Sequence, residues 1–160
     1  MERVPMTIYG HAKLSAELKD LQLNQRPAII AAIDEARGHG DLKENAEYHA
    51  AKNQQGFIEG RIAELDSKLS RADIIDPTKH KGAKAVLGAT MTVVDDNDKE
   101  HVYALVGPDE ADMSKNLLST SSPLGRAMLG KGVGDEVVFV APSGKKTYEV
   151  LKVEFKVIAV

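Results

Sequence analysis

The sequence predicts an α+β protein, with an N-terminal antiparallel coiled-coil hairpin of two helices and a small antiparallel β domain that carries one short helix. Apolar residues recur at helical spacing as far as about Ala72, which predicts the hairpin. Short strand patterns separated by turns begin after Asp76 and Pro77, which predicts the β domain. We therefore expect one domain at residues 1–76 and a second at residues 77–160.

The first limb of the hairpin is predicted by an apolar stripe that slips in phase once. The stripe consists of Leu14, Leu18, Leu21, Ile29, Ile33 and Ala36. Pro27 lies at the slip, and a proline inside a helix lacks an N–H donor and clashes with the preceding turn. We therefore expect a kink or a brief interruption near residues 24–26, after which the limb continues.

The second limb has a more regular pattern, in which apolar or small residues alternate steps of four and three. These residues are Ala51, Gln55, Ile58, Ile62, Leu65, Leu69 and Ala72. A narrow apolar seam with charged outer faces is typical of a coiled coil. Two such helices joined by a short turn form an antiparallel hairpin, and limbs of roughly thirty residues would each extend about 45 Å.

The elements of the β domain follow from strand and turn signals. Strands are predicted at residues 90–94, 100–106 and 117–119, and a β-hairpin is predicted at residues 137–140 and 146–155. Ser122 and Pro123 are typical of the cap and the first position of a short helix. Residues 130–134 resemble a phosphate loop, but the Walker spacing is absent and a strand follows, so we expect a simple turn.

Composition excludes several classes of function. The formal net charge of -3 disfavours a free-standing DNA- or RNA-binding role, and 4% aromatic residues offer little stacking surface for single strands. The absence of cysteine excludes disulfides and thiolate metal sites and fits a cytoplasmic protein. No run approaches ~20 apolar residues, so no membrane-spanning helix is expected.

The turn between the two limbs carries the most informative motif, which spans residues 38–45. Asp41 and Glu44 are three residues apart where the second helix begins, so they lie on neighbouring sides of one turn. Two carboxylates could share a Mg²⁺ ion but are too few to hold it alone. The motif therefore suggests half of a metal site that another molecule completes. Acidic residues that cap the helix and complement its dipole are the alternative explanation.

Histidines and basic residues near the turn allow further interpretations. A zinc site formed by His39 and His49 with the two carboxylates is conceivable, but the spacing matches no compact ligand pattern, so we expect solvent-facing histidines. The basic residues of this region are Arg37, Lys43, Lys52 and Arg61. They could contact phosphates through charge-assisted hydrogen bonds, or they could pair with acidic neighbours such as Glu59 and Glu64.

The sequence resembles the Gre family of bacterial transcription elongation factors over nearly its whole length. The resemblance is carried by residues 34–52 and 54–57 at the turn, by residues 5–7 near the N-terminus, and by residues 107–112 and 122–126. It implies an N-terminal coiled-coil hairpin and a second domain similar to FKBP-type proteins. It further implies that the hairpin enters the secondary channel of RNA polymerase and stimulates cleavage of the 3′ end of backtracked RNA.

The resemblance also assigns roles to individual residues. Asp41 and Glu44 would complete the coordination of a Mg²⁺ ion in the polymerase, so that no cofactor is held by the chain alone. Arg37 and Lys52 would contact the nascent RNA 3′ segment. The residues expected to bind the polymerase are Ser119, Ser121, Ser122 and Pro123. We expect a monomer that is not itself an enzyme.

Two departures from the family pattern concern the turn. Gly38 replaces a frequent Glu, which should weaken the end of the first limb by up to about 1 kcal/mol relative to Ala. Lys52 replaces the Arg of some members, which removes a bidentate phosphate contact.

Three other functions are considered. An inhibitory relative that blocks the channel is disfavoured by the intact carboxylate pair. A peptidyl-prolyl isomerase would need an aromatic-lined pocket, and the second domain offers only Tyr103, Phe139, Tyr148 and Phe155. A prefoldin-like chaperone would need apolar tips, whereas this turn is polar.

Overall fold

The structure is a computed structural model that describes residues 2–40 and 44–160. It contains two compact units, of which the first is Ala12–Arg71 and the second is Ala72–Val160 together with the residues through His11. The first unit is a long helical hairpin and the second is built on a curled sheet, which confirms the predicted fold class. The limits of 1–76 and 77–160 remain a prediction from sequence patterns.

The hairpin consists of helix α1 (Ile8–Asp20), helix α2 (Arg26–Arg37) and the returning helix α3 (Ala46–Ser70). The predicted apolar stripes lie between the two limbs. Their buried members are Leu14, Leu21, Ile33, Ala36, Ile58, Ile62 and Leu65. Among the described residues, no helix is both long enough and apolar enough to cross a membrane.

A single π-helical turn, Leu21–Gln25, separates α1 from α2 and confirms the predicted interruption. The Arg26 amide donates to the Leu21 carbonyl, five residues back, so this turn contains one residue more than an α-helical turn. Leu21 and Ile29 are eight residues apart, whereas a coiled-coil seam repeats every seven. The π turn therefore absorbs the extra residue and keeps both parts of the stripe facing α3.

Two bidentate ion pairs join the limbs. Arg26 contacts both carboxylate oxygens of Glu59 at 2.8 Å, and Arg61 contacts those of Glu17 at 2.6 and 2.9 Å. Arg61 also lies 3.2 Å from Glu64 on its own helix. Of the two acidic neighbours considered as partners of Arg61, Glu64 contacts it, whereas Glu59 pairs with Arg26 on the other limb. The Arg61 hydrogen bond lowers the pKa of Glu17, and that of Arg26 lowers the pKa of Glu59.

The Glu17→Gln substitution is expected to destabilise the hairpin at neutral pH by about 0.5–1 kcal/mol, a small effect because both side chains are more than one-third exposed. Since the folded-state pKa of Glu17 is lowered, its stabilisation is full above the ordinary value of 4.5 and disappears as the pH falls through the folded value. Thermal unfolding followed by helical circular dichroism at pH 7 and pH 3 measures this difference. An equal loss of stability at both pH values would contradict this prediction. The control is Glu35→Gln, because the Glu35 carboxylate has no ion pair among the described residues.

Within its described residues, the second unit contains seven strands in two sheets and one complete α-helix. Strands β1 (Val4–Thr7) and β2 (Ala72–Ile75) form a parallel pair. The larger sheet contains β3 (Thr90–Val94), β4 (Glu100–Val106), β5 (Leu117–Ser119), β6 (Glu136–Ala141) and β7 (Gly144–Glu154), and α4 is Pro123–Met128.

The strand order of the larger sheet is β5-β4-β3-β7-β6. The predicted strands and short helix are all present, but β4 and β5 run parallel, so the sheet is mixed rather than wholly antiparallel. The inner face of the sheet and α4 enclose the core. Its fully buried residues include Ala85, Ala89, Met91, Val93, Leu105, Met128 and Val137.

Within the second unit, which includes the first residues of α1, a buried carboxyl group contacts the residue that precedes this helix. Glu110, which is 8% exposed, accepts hydrogen bonds from the Thr7 amide at 2.5 Å and the Thr7 hydroxyl at 2.7 Å. The Thr7 hydroxyl in turn accepts the Gly10 amide at 3.2 Å, as a helix-capping residue does. Burial raises the pKa of Glu110, and the two Thr7 hydrogen bonds oppose that shift.

Candidate functional site

The tip of the hairpin is built from the end of α2 and the turn that follows it. The Gly38 and His39 amides donate to the carbonyls of Glu35 and Ala36, each at 3.1 Å, and so close the helix. Gly40 has a φ of +120°, a conformation that residues with a side chain rarely adopt. The glycine therefore permits a backbone conformation with which the turn after α2 begins.

Asn45 begins α3 and connects it to the other limb. Its Oδ1 accepts the Tyr48 amide at 3.0 Å, which caps the helix. Its Nδ2 donates to the carbonyl of Ala36 at 2.5 Å, near the end of α2. Sequence reasoning did not identify Asn45, although an Asn directly before a helical pattern is a recognised start signal.

Glu44 precedes this cap and is exposed at the tip. It makes no hydrogen bond or ion pair with any other described residue, and the cap of α3 is Asn45. The Glu44 carboxylate therefore does not cap α3, which was one of the two roles in the alternative explanation. Asp41 and Lys43 lie outside the described residues, so the proximity of Asp41 to Glu44 remains a prediction.

The histidines of the tip have local partners. His39 Nδ1 lies 3.3 Å from a carboxylate oxygen of Glu47, which occupies the first turn of α3 where a negative charge complements the helix dipole. The ring of His49 lies edge-on to Tyr48, with centroids 5.6 Å apart. Among the described residues, no group of three or more His, Asp or Glu side chains could hold a metal ion.

Two of the predicted basic residues remain accessible on the hairpin surface. The Arg37 side chain is 56% exposed and lies 3.9 Å from Asp34, a loose contact. Lys52 is exposed and donates to Gln55 at 3.2 Å. Arg61 is instead engaged by Glu17 and Glu64. Arg37 and Lys52 are therefore available to an external partner, and their RNA contacts remain a prediction.

The serine-rich segment after β5 forms a compact turn that leads into α4. The Ser122 hydroxyl accepts the Gly125 amide at 3.1 Å and donates to the Ser119 carbonyl at 2.7 Å, which confirms it as the helix cap. Ser119 and Ser121 share a hydroxyl hydrogen bond of 2.7 Å. Ser121 and Pro123 are exposed. Polymerase binding by Ser119, Ser121, Ser122 and Pro123 remains a prediction.

The aromatic side chains of the second unit mostly serve its core. Tyr148 is buried in it, and Tyr103, Phe139 and Phe155 pack against it. His101 stacks on Tyr103, with ring centroids 6.0 Å apart. These aromatic side chains are therefore used in packing rather than in lining an open pocket.

Two family models together match most of the chain. The model described as "Transcription elongation factor, N-terminal" matches residues 4–74, and the model described as "Transcription elongation factor, GreA/GreB, C-term" matches residues 80–155.

Similar curated proteins align with nearly the full length of the chain. Transcription elongation factor GreA of Hyphomonas neptunium is 58% identical over 98% of this chain and 100% of that protein. Transcription elongation factor GreA of Caulobacter vibrioides (strain NA1000 / CB15N) is 56% identical over 97% of this chain and 99% of that protein. The crystal structure of GreA factor homolog 1 (Gfh1) of Thermus thermophilus is 26% identical, with a TM-score of 0.44 over 96% of this chain and 99% of that one.

Proposed function

The chain belongs to the GreA/GreB family of transcription elongation factors, and we propose that it binds bacterial RNA polymerase and stimulates cleavage of backtracked RNA. In this proposal the hairpin enters the secondary channel, and removal of the RNA 3′ end lets elongation resume. The observation that supports it best is the exposed Glu44 carboxylate at the hairpin tip, which is not used to cap α3.

The dimensions and surface of the hairpin support insertion into a narrow space. α3 has 25 residues, which corresponds to a length of about 38 Å. Near the tip its exposed residues are small or polar, including Ala46, Ala50, Asn53 and Gln54. Exposing such a surface to water costs little free energy, and the small side chains keep the limb narrow.

The chemistry proposed for the tip is that of a donated metal ligand. Asp41 and Glu44 would add carboxylate oxygens, which suit Mg²⁺, to a coordination shell otherwise supplied by the polymerase. When bound, that Mg²⁺ would activate water for attack on the phosphodiester. The tip residues would bring these oxygens to the reacting RNA in a defined orientation, and such proximity can contribute much of the acceleration.

Other parts of the chain would hold the complex together. Arg37 and Lys52 would bind the phosphates of the RNA 3′ segment, and the serine-rich segment that ends at Pro123 would contact the polymerase. The reacting centre belongs to the polymerase, so the chain stimulates an endonuclease activity that it does not itself possess. We further propose that the protein acts as a cytoplasmic monomer.

A transcript cleavage assay on stalled, backtracked polymerase complexes tests this function. Adding the full-length chain with Mg²⁺ is expected to accelerate release of short RNA fragments from the 3′ end. Slower cleavage than in the polymerase alone would instead indicate an inhibitory channel-binding protein. Identical rates with and without the chain would refute both functions.

A further inference from the structure

The Asn45 side chain makes one hydrogen bond more than a helix cap requires. Its Oδ1 caps α3 through the Tyr48 amide, while its Nδ2 reaches the Ala36 carbonyl on the opposite limb. The amide of Tyr48 can only donate and the carbonyl of Ala36 can only accept, so the two partners fix the orientation of the Asn45 amide. Ser and Asp cap helices about as well as Asn. An ionised Asp has no donor for Ala36, however, and Ser is shorter.

The contact between Asn45 and Ala36 lies directly beside Glu44, the tip carboxylate that the structure describes. Ala36 and Asn45 are nine residues apart, and Asp41 and Glu44 lie between them. Because the Asn45 side chain is hydrogen-bonded to both limbs, fewer backbone conformations remain available to Asn45. Because Glu44 is the chain neighbour of Asn45, its backbone direction is constrained directly.

We propose that Asn45 is a positioning residue for the Glu44 carboxylate, whose backbone it fixes by clamping the end of α2 to the start of α3. This inference rests on the proposed function and adds a residue to it that touches neither the metal ion nor the RNA. Misplacement of catalytic groups by about 1 Å can cost as much as 100-fold in rate. A loose clamp would therefore lower the rate of cleavage without weakening attachment to the polymerase.

The body of the hairpin does not depend on this clamp. The limbs are joined below the tip by buried Ile33, Ile58 and Ile62 and by the ion pair between Arg26 and Glu59. Loss of the Ala36 contact is thus expected to leave the helices paired. This separation allows the positioning role to be tested apart from folding.

The variants Asn45→Ser and Asn45→Asp test the proposal, because both retain a capping residue and lose the Nδ2 donor. Full-length variants are titrated against backtracked polymerase, so that maximal cleavage rate and half-maximal concentration are obtained separately. We expect the maximal rate to fall about tenfold and the half-maximal concentration to stay within about twofold. In a Glu44→Gln background, Asn45→Ser is expected to cause no further loss, because the two residues act as one unit.

Three results would overturn the proposal. One is a maximal rate within about twofold of the unmodified protein in both variants. The second is a loss of maximal rate on adding Asn45→Ser to Glu44→Gln that equals its loss in the unmodified protein. The third is a rise in the half-maximal concentration by the same factor as the fall in maximal rate. Either of these would indicate a merely structural role.

A measurement on the free protein separates this proposal from the proposed function. Spin labels at the exposed positions 35 and 50 report the distance between the limbs near the tip. Asn45→Ser is expected to broaden this distance distribution, whereas Glu47→Gln, which retains the clamp, is expected to leave it unchanged. If the chain had no effect on cleavage but the distribution broadened, the clamp would stand and the proposed function would fail. An unchanged distribution in Asn45→Ser would refute the clamp itself.

Discussion

Neutralising both tip carboxylates, through Asp41→Asn together with Glu44→Gln, is expected to reduce stimulated RNA cleavage by about 100-fold or more. Changes in residues that only support metal ligands already cost about 10–100-fold, so the loss of two ligands should cost at least as much. The fold should be retained, because α3 is capped by Asn45 and its apolar seam is unaffected. Cleavage rates at saturating protein, with circular dichroism as a check of folding, measure the effect.

The matched control is Glu47→Gln. Glu47 also lies at the start of α3, but its carboxylate faces His39 at 3.3 Å, and both side chains are at least half exposed. We expect the cleavage rate with Glu47→Gln to stay within about threefold of the rate with the unmodified protein, because an exposed ion pair of this kind contributes about 0–1 kcal/mol. If RNA were cleaved as fast with the doubly neutralised variant as with Glu47→Gln, the metal role of the tip would be wrong.

The second large effect is expected for Gly125→Ala at the second residue after the Pro123 start of α4. A Cβ at this position would overlap the Ser119 carbonyl oxygen, which belongs to the backbone and cannot rotate away. We expect a loss of about 3 kcal/mol in unfolding free energy, because the overlap must displace either α4 or the serine-rich segment. Chemical denaturation, followed by a spectroscopic signal from the second unit, measures the loss of unfolding free energy.

Gly132→Ala provides the control in the same unit. Its nearest neighbour in the second unit, the Ala83 carbonyl oxygen, would lie 3.5 Å from the new Cβ, an ordinary van der Waals contact. Comparable stability of the two variants would show that the segment around Ser119 shifts freely. A large loss confined to Gly125→Ala, accompanied by weaker binding to polymerase, is the expected outcome.

Much of the architecture could be predicted because regular patterns encode it. The seam of α3 and the strands of the larger sheet follow from helical spacing and from strand patterns bounded by turns. The phase slip at Pro27 also predicted an interruption, since the apolar spacing between Leu21 and Ile29 does not fit a continuous seam. These signals are local, so one sequence is enough to detect them.

Features that depend on distant partners were missed. β1 and β2 each have four residues and pair across about sixty residues of hairpin, and the sequence of β2 continues the helical pattern of α3. The burial of Glu110 depends on Thr7, which is 103 residues away, and no sequence pattern near Glu110 predicts this contact. The parallel pairing of β4 and β5 is likewise set by tertiary structure.

The acidic motif of the candidate site can be recognised in the sequence, whereas the residue that supports it cannot. The acidic motif could be found because carboxylates at a glycine-bounded turn are conspicuous in a sequence. Whether Glu44 caps the helix or remains free could not be decided from spacing, since both arrangements use the same residues. The structure assigns the cap to Asn45, and this also identified the contact with Ala36.

The dependence of cleavage on Mg²⁺ concentration tests the central claim most directly, because a donated ligand must change the affinity of the reacting centre for its ion. Cleavage by backtracked polymerase is measured over a Mg²⁺ series with the unmodified chain, with Glu44→Gln and with Glu47→Gln. The half-saturating Mg²⁺ concentration is expected to rise about tenfold or more in Glu44→Gln and to stay unchanged in Glu47→Gln. Superimposable Mg²⁺ curves for all three proteins would contradict the account.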